Sequence, residues 1–236
     1  MRGFGPTRFL SADTMRSGQI VAMAKDILDF ADALGLEQFC ILGHDWGARI
    51  AYCLASLFPQ RVMRIGVMSV AWAPGELATP PLRQARHIWY QWFMATDRGA
   101  EVVRTQGENF ARFQWETWSP AGWFTDSQFE TTATSFENPD WPEITLHSYR
   151  VRWGQAAPDP WYEEIERQAK AVRKIAVPAL VIHGREDQCA LPASFEGNEE
   201  HFTGPYQRHT LEGVGHFPTR EAPRKVVDLV LDFLSS

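Results

Sequence analysis

The chain has 236 residues, 44% of them hydrophobic, which is enough to bury one full core or a core that carries an insertion. Its 23 Lys and Arg against 29 Asp and Glu leave a formal net charge of −6, with no basic stripe to neutralise phosphates, so nucleic acid is not expected as a partner. No apolar run approaches the roughly 18 residues of a membrane span, and the opening MRGFGPTRFL lacks the apolar stretch of a signal peptide, so a cytoplasmic protein without membrane contact is expected.

From the N-terminus, Ile20, Ala24, Ile27, Ala31 and Leu34 recur at three- and four-residue spacing, which predicts a helix over 17–34 that Gly35 stops. A short strand over 39–42 follows, then a glycine turn and a second helix over 48–58, ending before Pro59. The apolar run over 62–70 reads as a strand buried on both faces. Strand, helix, strand in this order packs most simply as a right-handed parallel unit.

Beyond Trp72 the strand signal disappears until Ile175, and nine of the ten Trp fall between 72 and 161. The α/β pattern returns with strands over 177–183 and 206–211 and an amphipathic helix over 221–234. The fold class is therefore α/β: a core of residues 1–74 and 173–236 with a parallel sheet, interrupted by a mostly helical cap over 75–172. A buried Trp removes about 150–250 Å² of surface from water, so most of these rings are structural, and the remainder can line an apolar pocket for a small hydrophobic ligand.

The three cysteines have no zinc-like spacing, and no metal or cofactor is expected. Cys40 on the strand and Cys53 on the helix behind it are expected to be reduced and buried. Cys189 lies in a loop near a candidate site residue, and a reactive role stays open for it.

The stretch CILGHDWGARIAY, residues 40–52, places Asp45 at the carboxyl end of a strand between Gly43 and Gly47. Asp45 could cap the following helix, a role that stabilises by about 1 kcal/mol, or be displayed at a strained turn as a nucleophile. Two further stretches favour the second role. VIHGRED puts Asp187 at the end of the next strand, with Glu186 read as its solvated neighbour, and LEGVGHFP puts His216 in a glycine loop after the last one. Nucleophile, acid and histidine in this chain order fit an open parallel sheet with its site at the carboxyl ends. The other six histidines, His44 beneath the turn among them, read as structural.

On these motifs the chain resembles the α/β-hydrolase superfamily. GHDWGA is similar to the elbow of the branch of epoxide hydrolases and haloalkane or haloacetate dehalogenases, in which the nucleophile is aspartate. RGFG near the start and GHFPTREAP before the last helix extend the likeness over the chain. The family pattern normally begins with further strands and an HG-x-P loop that supplies one oxyanion donor. Those features are missing ahead of RGFG, so a four-stranded sheet is expected, with the Asp45 strand on an exposed edge through which copies of the chain could associate.

The resemblance implies attack by Asp45 on an sp3 carbon to give a covalent alkyl ester. An aspartate, with an ordinary pKa of about 3.9, needs no base for this step. His216, oriented by Asp187, would then activate water, and the Trp46 amide would hold the resulting oxyanion. Tyr90 in HIWYQWF and Tyr149 in LHSYRVRW resemble the two cap tyrosines that protonate an opened epoxide, so hydrolysis of small apolar epoxides to diols is the expected reaction. A dehalogenase is the alternative: Arg49 resembles an arginine that grips a substrate carboxylate there, and Trp92 with Tyr149 could approach a halide. A third reading, from another class, is a non-catalytic binding module.

Overall fold

The computed structural model describes residues 1–75 and 78–236. Four parallel strands, β1 (Phe39–His44), β2 (Val62–Met68), β3 (Ala179–Gly184) and β4 (Tyr206–Leu211), form one sheet in the order β1-β2-β3-β4. Sequence order thus equals spatial order, and among the described residues β1 has a strand on one side only.

Side chains alternate across the sheet, so each strand feeds two cores. Ile65, Val67, Ala179 and Val181 pack with α1 (Ile20–Ala33) and α2 (Trp46–Leu57) on one face. Met68, Leu180 and Ile182 pack on the other face with Val226, Val230 and Phe233 of the C-terminal helix, which is split into the single turn α9 (Pro218–Glu221) and α10 (Pro223–Ser235). The second face is left uncovered over β1: Leu42 is 49% exposed and Cys40 is exposed as well. The expectation that Cys40 is buried is thereby corrected, because its side chain points to the sheet face that α10 does not reach. Cys53 is buried as expected.

Several boundaries differ from the periodicity for local reasons. Helix α1 begins at Ile20 rather than 17 because Gly18 is a crossing point; its N–H bonds His147 Nδ1 at 2.9 Å, and a Cβ there would lie 2.5 Å from the Ile144 carbonyl oxygen. Strand β1 continues to His44, in register with Met68. Strand β2 stops at Met68, since Ser69 turns the chain with φ 61°.

Between β2 and β3 the chain runs through α3 (Leu82–His87), α4 (Trp89–Ala95), α5 (Asp97–Trp118), α6 (Asp126–Ala133), α7 (Trp141–Arg152) and α8 (Glu163–Ala171). Tyr90, Met94, Val103, Trp118, Trp141 and Tyr149 form a separate core, against which Trp46 and Phe217 pack from the sheet's carboxyl end. The helical segment therefore meets the sheet where the strands end. No helix among the described residues is long and apolar enough to cross a membrane.

Candidate active site

Asp45 sits between β1 and α2 with φ 49° and ψ −110°, a region that side chains seldom occupy. Its side chain makes no capping hydrogen bond to α2, so the helix-cap role is not realised. The backbone is held from both sides: the Asp45 amide donates to the Met68 carbonyl at 3.1 Å, and the Asp45 carbonyl accepts from Arg49 at 3.1 Å. Gly43 is what permits the bend, because a Cβ there would lie 2.2 Å from the Gly47 carbonyl oxygen. Gly47 is different: a Cβ on it meets nothing within 4 Å. Only the first glycine of the motif is needed for close approach among the described residues.

Asp187 and His216 are fully buried and bonded to each other, His216 Nδ1 donating to Asp187 Oδ2 at 2.9 Å. The other carboxylate oxygen, Oδ1, accepts the amides of Cys189 at 2.7 Å and Ala190 at 2.8 Å, which fixes its plane. With Nδ1 donating to a carboxylate, Nε2 carries the lone pair, and this nitrogen is buried without a partner. Burial pulls the imidazole pKa down, but the Asp187 charge, its hydrogen bond and the more distant Asp45 and Glu221 outweigh it, so the net shift is upward.

The loop that carries His216 is tied at three successive amides and at the His216 carbonyl. Ser119, just beyond α5, accepts the His216 amide at 2.8 Å and donates to Glu221 Oε1 at 2.8 Å. Glu221 also accepts the amides of Gly215 at 2.6 Å and Phe217 at 2.8 Å. The His216 carbonyl accepts from Ser69 Oγ at 2.8 Å and from His44 Nε2 at 2.6 Å. Burial, reinforced by the nearby His216 charge, lowers the His44 pKa, so its ring is neutral with the proton on Nε2. Glycines let these parts approach: a Cβ on Gly184 would meet the Val214 carbonyl oxygen at 2.1 Å, and one on Gly215 would meet Ser119 Oγ at 2.4 Å.

Tyr90 and Tyr149 lie in contact, rings T-shaped with centroids 5.6 Å apart. Each phenol oxygen accepts an N–H: Tyr149 from Trp46 Nε1 at 2.9 Å and Tyr90 from Gln91 Nε2 at 3.0 Å. Gln91 is in turn fixed by Trp153 Nε1, which donates to its Oε1 at 3.1 Å. Burial raises both phenol pKa values; the next largest cause is Cys189 at Tyr90 and the Asp45 charge at Tyr149. Both groups are therefore protonated donors at neutral pH, within electrostatic reach of Asp45.

The remaining site expectations fare unevenly. The Trp46 amide, at the first position of α2, lies outside the intrahelical ladder and is available as a donor. Arg49 lays its guanidinium 5.8 Å from the Trp46 ring. Trp92 is engaged elsewhere: its indole lies tilted by 45° against Trp153, centroids 4.2 Å apart, and its Nε1 donates to the Ala85 carbonyl at 3.3 Å. Cys189 is buried, its Sγ 3.4 Å from the Tyr90 hydroxyl, and burial next to Asp187 pushes the thiol pKa well up, which removes the thiolate a reactive role needs. No group of three His, Cys, Asp or Glu able to hold a metal occurs among the described residues. Ser119, Glu221, Ser69, Gln91 and Trp153 carried no sequence signal for their roles, apart from the position of Glu221 within GHFPTREAP.

Known proteins share this architecture. The chain is 22% identical over 256 residues to bifunctional epoxide hydrolase 2 of Sus scrofa, covering 100% of this chain and 45% of that protein. It is 24% identical to epoxide hydrolase A of Mycobacterium tuberculosis, covering 99% of this chain and 80% of that protein. A candidate epoxide hydrolase from Klebsiella pneumoniae, known from its crystal structure, superposes with a TM-score of 0.91 at 37% identity, over 100% of this chain and 79% of that one. The chain spans about half the length of the mammalian relatives it matches. The alpha/beta hydrolase fold family matches residues 1–223. A parallel sheet with an acid-bearing elbow after its first strand, a buried acid–histidine pair after its third and fourth, and this match together place the chain in the alpha/beta hydrolase family.

Proposed function

We propose that the protein is a hydrolase that opens small apolar epoxides to diols through an ester on Asp45, with residues 75–172 as a cap over the site. The observation that carries this reading is the His216 ring. Its Nδ1 is engaged by Asp187, and its Nε2 is buried and unpartnered among the described residues, within electrostatic reach of the Asp45 carboxylate at a strained turn.

An Asp45 oxygen attacks one epoxide carbon, the C–O bond breaks, and the departing alkoxide takes a proton from Tyr90 or Tyr149. Both phenols accept from fixed N–H groups; the Tyr149 O–H proton is left to turn to the substrate, and the Tyr90 O–H must exchange its contact with Cys189 Sγ at 3.4 Å to do so. His216 Nε2 then removes a proton from water, and the hydroxide adds to the ester carbonyl of Asp45. The tetrahedral oxyanion forms next to the Trp46 amide and collapses, the diol oxygen takes a proton from the His216 imidazolium, and the acid proton left on Asp45 passes through solvent to the phenolate, which restores all three groups. Halide release is less well supported, since the Trp92 N–H is occupied by Ala85.

In a His216→Gln chain the first half-reaction proceeds and the second fails. Intact-mass spectrometry after exposure to styrene oxide should then show one adduct of substrate mass, located on Asp45. An unmodified mass across a panel of epoxides, or an adduct retained by Asp45→Asn, would overturn the reading.

A further inference from the structure

A cavity of about 260 Å³ lies on another side of Trp46, enclosed by α2, α7, α8 and the segments 18–21 and 71–75. None of Asp45, Asp187, His216, Tyr90 and Tyr149 lines it, although Trp46 and Arg49 form a wall shared with the site above. Its wall is largely apolar, with Ile20, Val21, Trp72 and Val151, but Arg49 and Arg152 interrupt it.

The two arginines are the anomaly. Among the described residues, neither side chain makes a hydrogen bond or an ion pair; each guanidinium carbon lies only over an aromatic ring, Arg49 at 5.8 Å from Trp46 and Arg152 at 5.8 Å from Trp153. Arg152 Nε is buried with no partner at all. The acid of the same wall, Glu166, is engaged by Gln19 Nε2 and lies 3.9 Å from Lys170 Nζ. Burial, reinforced by the like charge of Arg49, pushes the Arg152 pKa down to about 9, so the group is still a cation at neutral pH and is held at a cost. An unmet guanidinium N–H in such a setting costs on the order of a hydrogen bond to a charged group, and a carboxylate meets several at once.

We propose that this cavity binds a small organic monoanion, a carboxylate on an apolar body, with its oxygens held by Arg152 and Arg49 and its carbon chain against Ile20, Val21 and Trp72. The planar guanidinium fork suits a carboxylate, and the apolar wall gives inorganic phosphate nothing to pack against.

Isothermal titration calorimetry on the whole chain tests the proposal with hexanoate, hexanamide and inorganic phosphate. Hexanoate should bind at least tenfold more tightly than the other two, and more weakly as salt is raised. Arg152→Gln should weaken hexanoate at least tenfold and leave hexanamide unchanged. The comparison of acid with amide in the unmodified chain needs no variant to fold. Equal affinity for the acid and the amide, phosphate binding as tight as hexanoate, or no heat from any of the three at millimolar concentration would each overturn it. Calorimetry reads binding and not turnover, so its outcome is separate from whether Asp45 reacts.

Discussion

The Ser119 hydroxyl accepts the His216 amide at 2.8 Å, although 97 residues separate the two along the chain. A residue just beyond the longest helix between β2 and β3 thus fixes the histidine of the proposed site, and Glu221 completes the tie through Gly215, Phe217 and Ser119 itself. Glu221→Ala strands two amides and a hydroxyl. We expect a stability loss of about 2 kcal/mol in thermal unfolding, and a fall in epoxide turnover of about tenfold from a displaced imidazole. Glu221→Gln keeps one acceptor oxygen and should recover part of both.

Turnover should rise with pH as His216 loses its proton, since only neutral imidazole can take one from water. The Asp187 carboxylate outweighs burial and raises the His216 pKa, so the midpoint of that rise should lie above the ordinary histidine value of about 6.5. In Asp187→Asn burial acts without its counterweight, and the midpoint should move down. Stability follows the same group. With the folded pKa above the unfolded one, the protonated pair stabilises the fold fully below about pH 6.5, and that contribution is lost as pH rises through the folded value. Urea unfolding of both chains across this window checks the sign: the difference should shrink with rising pH.

Tyr90→Phe and Tyr149→Phe each remove one proton donor and leave the ring packing in place. Steady-state hydrolysis of an epoxide should fall about 10²-fold in each, the lower end for a general acid, because one phenol remains. The double variant should fall further, and ester formation should fail with it in single-turnover measurements.

The two glycines of the elbow should respond in opposite ways to the same substitution. Gly43→Ala forces a methyl onto the Gly47 backbone at 2.2 Å, where no side chain can yield, and should destabilise by about 3 kcal/mol. Gly47→Ala meets open space in the first turn of α2 and should stabilise by about 0.5–1 kcal/mol. Differential scanning calorimetry of the two chains decides the matter.

Much of this arrangement can be read in the chain itself. All four strands, the elbow at Asp45, and the order of Asp45, Asp187 and His216 follow from apolar runs and the turn residues that end them, because those signals are local. Strand ends are harder: Val70 reads as strand, yet Ser69 has already turned, since the hydroxyl of Ser69 is needed by the His216 carbonyl. Partners such as Ser119 and Glu221 are 102 residues apart and have no spacing rule to reveal them. Cys40 reads as buried by its strand alone, and which sheet face a helix covers is a tertiary fact. Trp92 shows the same limit, because an aromatic on a helix says nothing of which way its N–H is turned.

The His216 carbonyl is held at once by His44, which ends β1, and by Ser69, which follows β2, while its own loop descends from β4. Strands β1 and β4 share no ladder, yet one peptide oxygen sutures their upper ends across the two strands between. Fraying of either margin of the sheet must first release that suture, so amide exchange at the tips of β1 and β4 should report one shared opening rather than two independent ones.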